Sequence, residues 1–115
     1  MAVSTIPMTT NNSGHNAVNG YCKTPDGTLI QWGRVRFAPP ETTGLELQSV
    51  AFMEEFIDTN IAVTVSWNDL MTNMDPNVGL LGVDTVTTTN VRFGCVRKTT
   101  TGNWYAKFIA IGRWK

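Results

Sequence analysis

The segment from Trp104 to Arg113 constrains this chain more than any other, because its ten residues are apolar on both faces of an extended strand. Side chains in a strand alternate between faces with a period of two. One face of this segment carries Trp104, Ala106, Phe108, Ala110 and Gly112; the other carries Tyr105, Lys107, Ile109, Ile111 and Arg113. A strand with one solvated face is apolar on one side only. Here the stretch from Phe108 to Ile111 is apolar on both, so each face needs a cover. A domain core can cover one. A neighbouring subunit is the simplest cover for the other, and a loop of the same chain is the alternative.

The rest of the chain reads as strands and turns. Short strands are expected over Gly20 to Lys23, Thr28 to Phe37, Leu45 to Val50, Asn60 to Trp67, Leu81 to Thr89 and Val91 to Lys98. In one of them Ile61, Val63, Val65 and Trp67 alternate with Ala62, Thr64 and Ser66, giving an apolar and a more polar face. Pro25-Asp26-Gly27 is a turn signal, and Pro39-Pro40 ends the second strand because neither proline donates to a ladder. Asn68 to Gly79 is a loop by composition, and Thr101-Gly102-Asn103 is expected to form a hairpin turn into the closing strand. Residues 51–57 fit either a single helical turn or a bent connection, since Phe52 and Phe56, like Met53 and Ile57, are four apart. Residues 1–19, rich in Thr, Asn, Ser and Gly, read as a flexible arm or linker, leaving 20–115 as one domain. The fold class is all-β, an antiparallel sandwich or barrel.

Composition removes several functions. Nine basic and nine acidic side chains give no net charge, so nothing drives a general grip on nucleic acid or anionic lipid. No apolar run spans a membrane, and the first residues have neither a basic nor an apolar signal region. The one histidine, His15, stands in the polar arm, away from any nucleophile, and offers neither a catalytic triad nor a histidine-rich metal site. Glu54 and Glu55 are adjacent and would point to opposite faces of a strand, while Asp58, Asp69, Asp75 and Asp84 are scattered over turn-like segments. No catalytic residue, cofactor or metal ligand is therefore assigned. Cys22 and Cys95 read as two reduced thiols packing as small hydrophobes, although a bridge between their strands is geometrically conceivable.

Binding chemistry has more to draw on. Four tryptophans are many for one core of this length. Trp32, beside Ile30 in mid-strand, is expected in the core. Trp67 stands at a strand end before Asn68 and Asp69, with Asn73 and Asp75 further along the same loop. Trp104 and Tyr105 follow Asn103 at the expected hairpin tip. An aromatic face beside amide and carboxylate groups suits a sugar ring, through stacking and directional hydrogen bonds. The competing reading is that these rings cap the ends of the sandwich. Candidate ligand-binding residues are thus Trp67, Asn68, Asp69, Asn73, Asp75, Asn103, Trp104 and Tyr105; candidate oligomer contacts are Tyr105, Ile109, Ile111 and Arg113.

The stretch Gly20-Tyr21-Cys22-Lys23, followed by Asp26-Gly27-Thr28-Leu29-Ile30-Gln31-Trp32-Gly33, resembles the opening of the C-terminal receptor-binding knob of phage and prophage tail fibres. Ser49-Val50-Ala51-Phe52 is similar to that family's mid-domain stretch, and Phe108-Ile109-Ala110-Ile111-Gly112 to its closing phrase. The resemblance covers Gly20 to Trp114. It departs over Pro39-Pro40 to Val50 and at Met53-Glu54-Glu55, and family knobs normally follow a long shaft. What it implies is a compact antiparallel β-sandwich of about six strands, related to H-type lectins and assembled as a homotrimer. It also implies a place at the virion's fibre tip, with a bacterial surface glycan or other host receptor, and other tail proteins, as partners. A structural trimerisation or adaptor module of a tail, or a free lectin of the same kind, is the alternative.

Overall fold

A computed structural model describes residues 13–16, 18–67, 78–97 and 102–115. They form eight strands: β1 Ser13–His15, β2 Gly20–Lys23, β3 Thr28–Phe37, β4 Gly44–Ala51, β5 Ala62–Trp67, β6 Val78–Val86, β7 Asn90–Arg97 and β8 Trp104–Arg113. Two antiparallel sheets result, one ordered β1-β2-β3-β8-β5 and the other β4-β7-β6. All strands expected from the residues are present. The additional one, β1, falls within the segment read as an arm and pairs with β2, Gly14 opposite Tyr21.

The two inner faces bury one core. Leu29, Val35 and Phe37 of β3 and Ala106, Phe108 and Ala110 of β8 meet Val91, Phe93 and Cys95 of β7. The rings of Phe93 and Phe108 lie 5.2 Å apart across the gap. The face of β8 that carries Ala106, Phe108 and Ala110 is thus the core face.

Turn chemistry sets the β2–β3 hairpin. Pro25 holds the first central position, the Gly27 N–H donates to the Thr24 carbonyl at 3.1 Å, and Gly27 takes a φ of +101°, a region open to glycine. Of residues 51–57, Ala51 ends β4 and 52–57 are a bent connection with no helical turn. Phe56 is fully buried beneath it, 4.9 Å from the Phe52 ring in an edge-on pair. The bend is pinned to β3 by Gln31, whose Nε2 donates to the Glu54 carbonyl at 2.7 Å and whose Oε1 accepts from the Glu54 N–H at 3.0 Å. A buried amide with both ends paired is well accommodated.

Two expectations are corrected. Trp32 is not in the core: it is 39% exposed on the outer face of the five-stranded sheet. The inward positions beside it belong to Gln31 and Gly33, and a Cβ on Gly33 would stand 2.7 Å from the Phe108 ring, so that slot stays empty for the phenylalanine. Gly20 serves the opposite face, where a Cβ would meet the Trp32 indole at 2.3 Å. The second correction concerns residues 101–103. β7 and β8, which they were expected to join as a hairpin, lie in different sheets and do not pair. Residues 87–89 supply the hairpin between β6 and β7, with the Thr87 N–H donating to the Asn90 carbonyl at 2.8 Å.

Cys22 and Cys95 are both free. They sit on different sheets, Cys95 buried and Cys22 half-buried. Burial pushes the Cys95 thiol up to about 11, with Glu46 adding to the rise and Arg97 opposing it.

Candidate functional site

Cross-strand register decides which side chains share the outer face of the five-stranded sheet. Residues directly opposite one another point to the same side. Ile109 pairs with Trp32 and Thr64, and Ile111 with Ile30 and Ala62. On the far side of β3, Trp32 pairs with Gly20 and Ile30 with Cys22. Half of this face is therefore an apolar field centred on Trp32, Ile109 and Ile111, which are 39%, 49% and 45% exposed. Among the described residues nothing covers it.

The other half is basic. Lys107 pairs with Arg34 on one side and Ser66 on the other, and Tyr105 pairs with Arg36. The Arg34 guanidinium stacks on the Tyr105 ring at 4.6 Å. Arg36 donates from Nε and Nη2 to the Asn103 Oδ1, at 3.0 and 2.8 Å. Among the described residues none of these three cations forms an ion pair; the carboxylates that do so, Glu46, Glu54 and Asp84, are bound to Arg97, Lys23 and Arg92. Between the two halves runs a groove of about 820 Å³, whose lining includes Trp32, Arg34, Thr64, Ser66, Lys107 and Ile109, with His15 and Asn16 at its β1 edge.

The candidate ligand-binding residues fall into three places. Trp67 and Trp104 come together at the end of the sandwich where β5 stops and β8 starts. Their rings meet edge-on at 5.5 Å, Trp67 lies against Phe37 at 6.0 Å, and both are half-buried against the core. The Arg97 guanidinium lies over the Trp104 ring at 4.1 Å. Arg97 is itself buried, donating from Nη1 to the Ala38 carbonyl and from Nη2 to the Gly102 carbonyl, with Glu46 at 3.6 Å. Asn103 and Tyr105 stand on the basic half of the outer face instead. Asn68, Asp69, Asn73 and Asp75 lie outside the described residues.

The four candidate oligomer contacts share the outer face of β8. Ile109 and Ile111 lie in its apolar half and Tyr105 in its basic half. Arg113 is tied down at the far end, donating from Nε to the Lys115 carbonyl at 3.1 Å and from Nη2 to the Asp26 carbonyl at 3.3 Å. Sequence reasoning placed Lys107 on this face of β8 without giving it a role, and missed Ile30, Trp32, Arg34 and Arg36 as members of the surface. The signal was the alternation of Ile30, Trp32, Arg34 and Arg36 along β3, obscured by a polar Gln31 and a bare Gly33 in core positions.

Comparison with known proteins places this geometry. Among solved structures, an N-truncated R1-type pyocin tail fibre superposes with a TM-score of 0.62 at 20% identity, over 87% of this chain and 84% of that one. A longer C-terminal fragment of the P. aeruginosa R1 pyocin fibre gives a TM-score of 0.61 at 20% identity, over 87% of this chain but only 28% of the fragment. An N-truncated R2-type pyocin fibre gives 0.61 at 17% identity, over 88% of this chain and 37% of that one. At such identities the likeness speaks for the fold. No protein of curated function matches the chain. The family described as putative tail fiber protein gp53-like, C-terminal, matches residues 23–113, from the end of β2 to the end of β8. The chain belongs to this family of tail fibre C-terminal domains.

Proposed function

We propose that the chain is the tip domain of a phage or prophage tail fibre, attaching to the bacterial host surface as a homotrimer through a surface glycan. It works by binding and carries out no catalysis. The observation that carries this reading is the apolar field of Trp32, Ile109 and Ile111 on the central strands of the sheet, which nothing among the described residues covers. An exposed field of that kind marks an interaction surface, and a closed ring of like copies covers it without leaving open ends. Membership of a tail fibre family supports the location.

Light scattering on the purified chain checks the assembly, and competition with phage adsorption checks the attachment. A trimer that binds host cells and blocks adsorption is expected. A monomer that leaves adsorption untouched would overturn the reading.

A second reading, a trimerising or adaptor module that binds no sugar, is favoured by one observation. Trp67 and Trp104 are packed against each other, Phe37 and Arg97 instead of standing open at the tip. On that reading Trp67→Ala and Trp104→Ala lower stability and leave adsorption per folded molecule unchanged.

A further inference from the structure

The basic half of the outer face is unfavourable as pure architecture. Arg34 and Lys107 are direct cross-strand partners, and like charges placed opposite one another destabilise a sheet. Arg36 lies on the same face, one row further on. Among the described residues no carboxylate pairs with any of the three. The fold nonetheless holds two of them in place, Arg34 on the Tyr105 ring and Arg36 on the Asn103 amide. Arg36 uses Nε and Nη2 in its bonds to Asn103 and keeps its Nη1 edge available for another acceptor. Cations held in register with no counter-charge among the described residues suit an anionic partner, and a guanidinium fork matches phosphate and carboxylate geometry.

We infer that Arg34, Arg36 and Lys107 form a binding site for the anionic groups, phosphate or carboxylate, of a bacterial surface polysaccharide. This rests on the attachment role proposed above and names the chemical class of its ligand. The Ser66 hydroxyl, directly across from Lys107 in the basic half and lining the same groove, adds a hydrogen-bonding group for a sugar hydroxyl. Assembly through the apolar half and binding through the basic half use different rows of the same face.

The test uses the full chain and four immobilised polysaccharides: a phosphomannan, the same mannan after dephosphorylation, polygalacturonate, and its methyl ester. A charged form is expected to bind at least about tenfold more tightly than its neutralised counterpart, the yield of one charge-assisted hydrogen bond. Which charged form binds separates phosphate from carboxylate. Raising salt from about 0.05 M to about 0.5 M should weaken that binding, since screening shortens the reach of exposed charges. The double variant Arg34→Gln/Lys107→Gln should lose the preference with no fall in melting temperature and no change in assembly mass. Lys115→Gln, a charge removal at the opposite end of the sheet, should keep it. Equal binding of charged and neutral forms, no binding to any of the four, or an undiminished double variant overturns the inference. Host-cell adsorption is read in parallel. If adsorption persists in those cases, the attachment role stands and only the anionic site fails; if the chain adsorbs to no host, the attachment role fails as well.

Discussion

At the scale of single residues, two side chains make predictions of opposite sign. Asp26 in the β2–β3 turn accepts hydrogen bonds from the Thr24 hydroxyl and, at 3.0 Å, from the Thr28 N–H. These bonds, the Thr24 hydroxyl foremost, favour the carboxylate and lower its pKa from 3.8 to about 2, with Arg113 contributing last. A group whose folded pKa is depressed contributes stability above its unfolded value and loses it as pH falls through the folded one. The wild-type melting temperature should therefore drop between pH 4 and pH 2, and Asp26→Asn should flatten that limb of the profile. Lys107 works the other way. It opposes Arg34 directly, so Lys107→Glu, which turns a like pair into an opposite one, should raise stability by about 0.2–1 kcal/mol in urea titrations. A fall in stability would show that the lysine is compensated within the fold.

At the scale of elements, most of the architecture was legible as strands and turns, and what was missed has physical causes. Strand-forming runs bounded by turn signals, with period-2 alternation in the clearest of them, located β2 to β8. The same rule misplaced Trp32. The core positions of β3 between Leu29 and Val35 are taken by Gln31 and Gly33, one chosen for two hydrogen bonds and the other for the room it gives Phe108. Such inward residues carry no hydrophobic signal. Alternation also says nothing about which sheet a strand joins, so residues 101–103 read as a hairpin turn although β7 and β8 belong to different sheets. In the candidate site, the aromatic and apolar members were visible one by one. The basic rows were not, since Arg34 meets Lys107 only once β3 and β8 are in register. Gln31 offers a test at this scale. Gln31→Ala strands the N–H and C=O of Glu54 and should cost about 1–3 kcal/mol in chemical denaturation. The bend over residues 51–57 should become the first segment to exchange its amide protons.

At the scale of the whole molecule, the outer face of the five-stranded sheet is divided between an apolar half and a cationic half, and the division sets the terms of assembly. Ile109→Asp should convert the proposed trimer to monomers with little loss in the fold, since Ile109 is 49% exposed in a single chain. Sedimentation velocity would report the change in mass, and far-ultraviolet circular dichroism the retained sheet. A variant that stays trimeric would place the interface elsewhere. The three-stranded sheet carries a second exposed apolar surface, where Leu45, Leu47, Leu80 and Val96 are 69%, 44%, 81% and 36% exposed.

The order of strands has a consequence for how the chain is made. β8 is the last of the eight in sequence, yet it lies between β3 and β5 and pairs with both. On the ribosome, β3 and β5 emerge with open edges and wait for the strand that joins them, and open edges recruit wrong partners. Pairing residues 28–37 with 104–113 also closes a long loop, which slows folding. The unfinished chain is thus most exposed to mispairing with its sisters on the same polysome, and it stays so until the β8 strand has been translated.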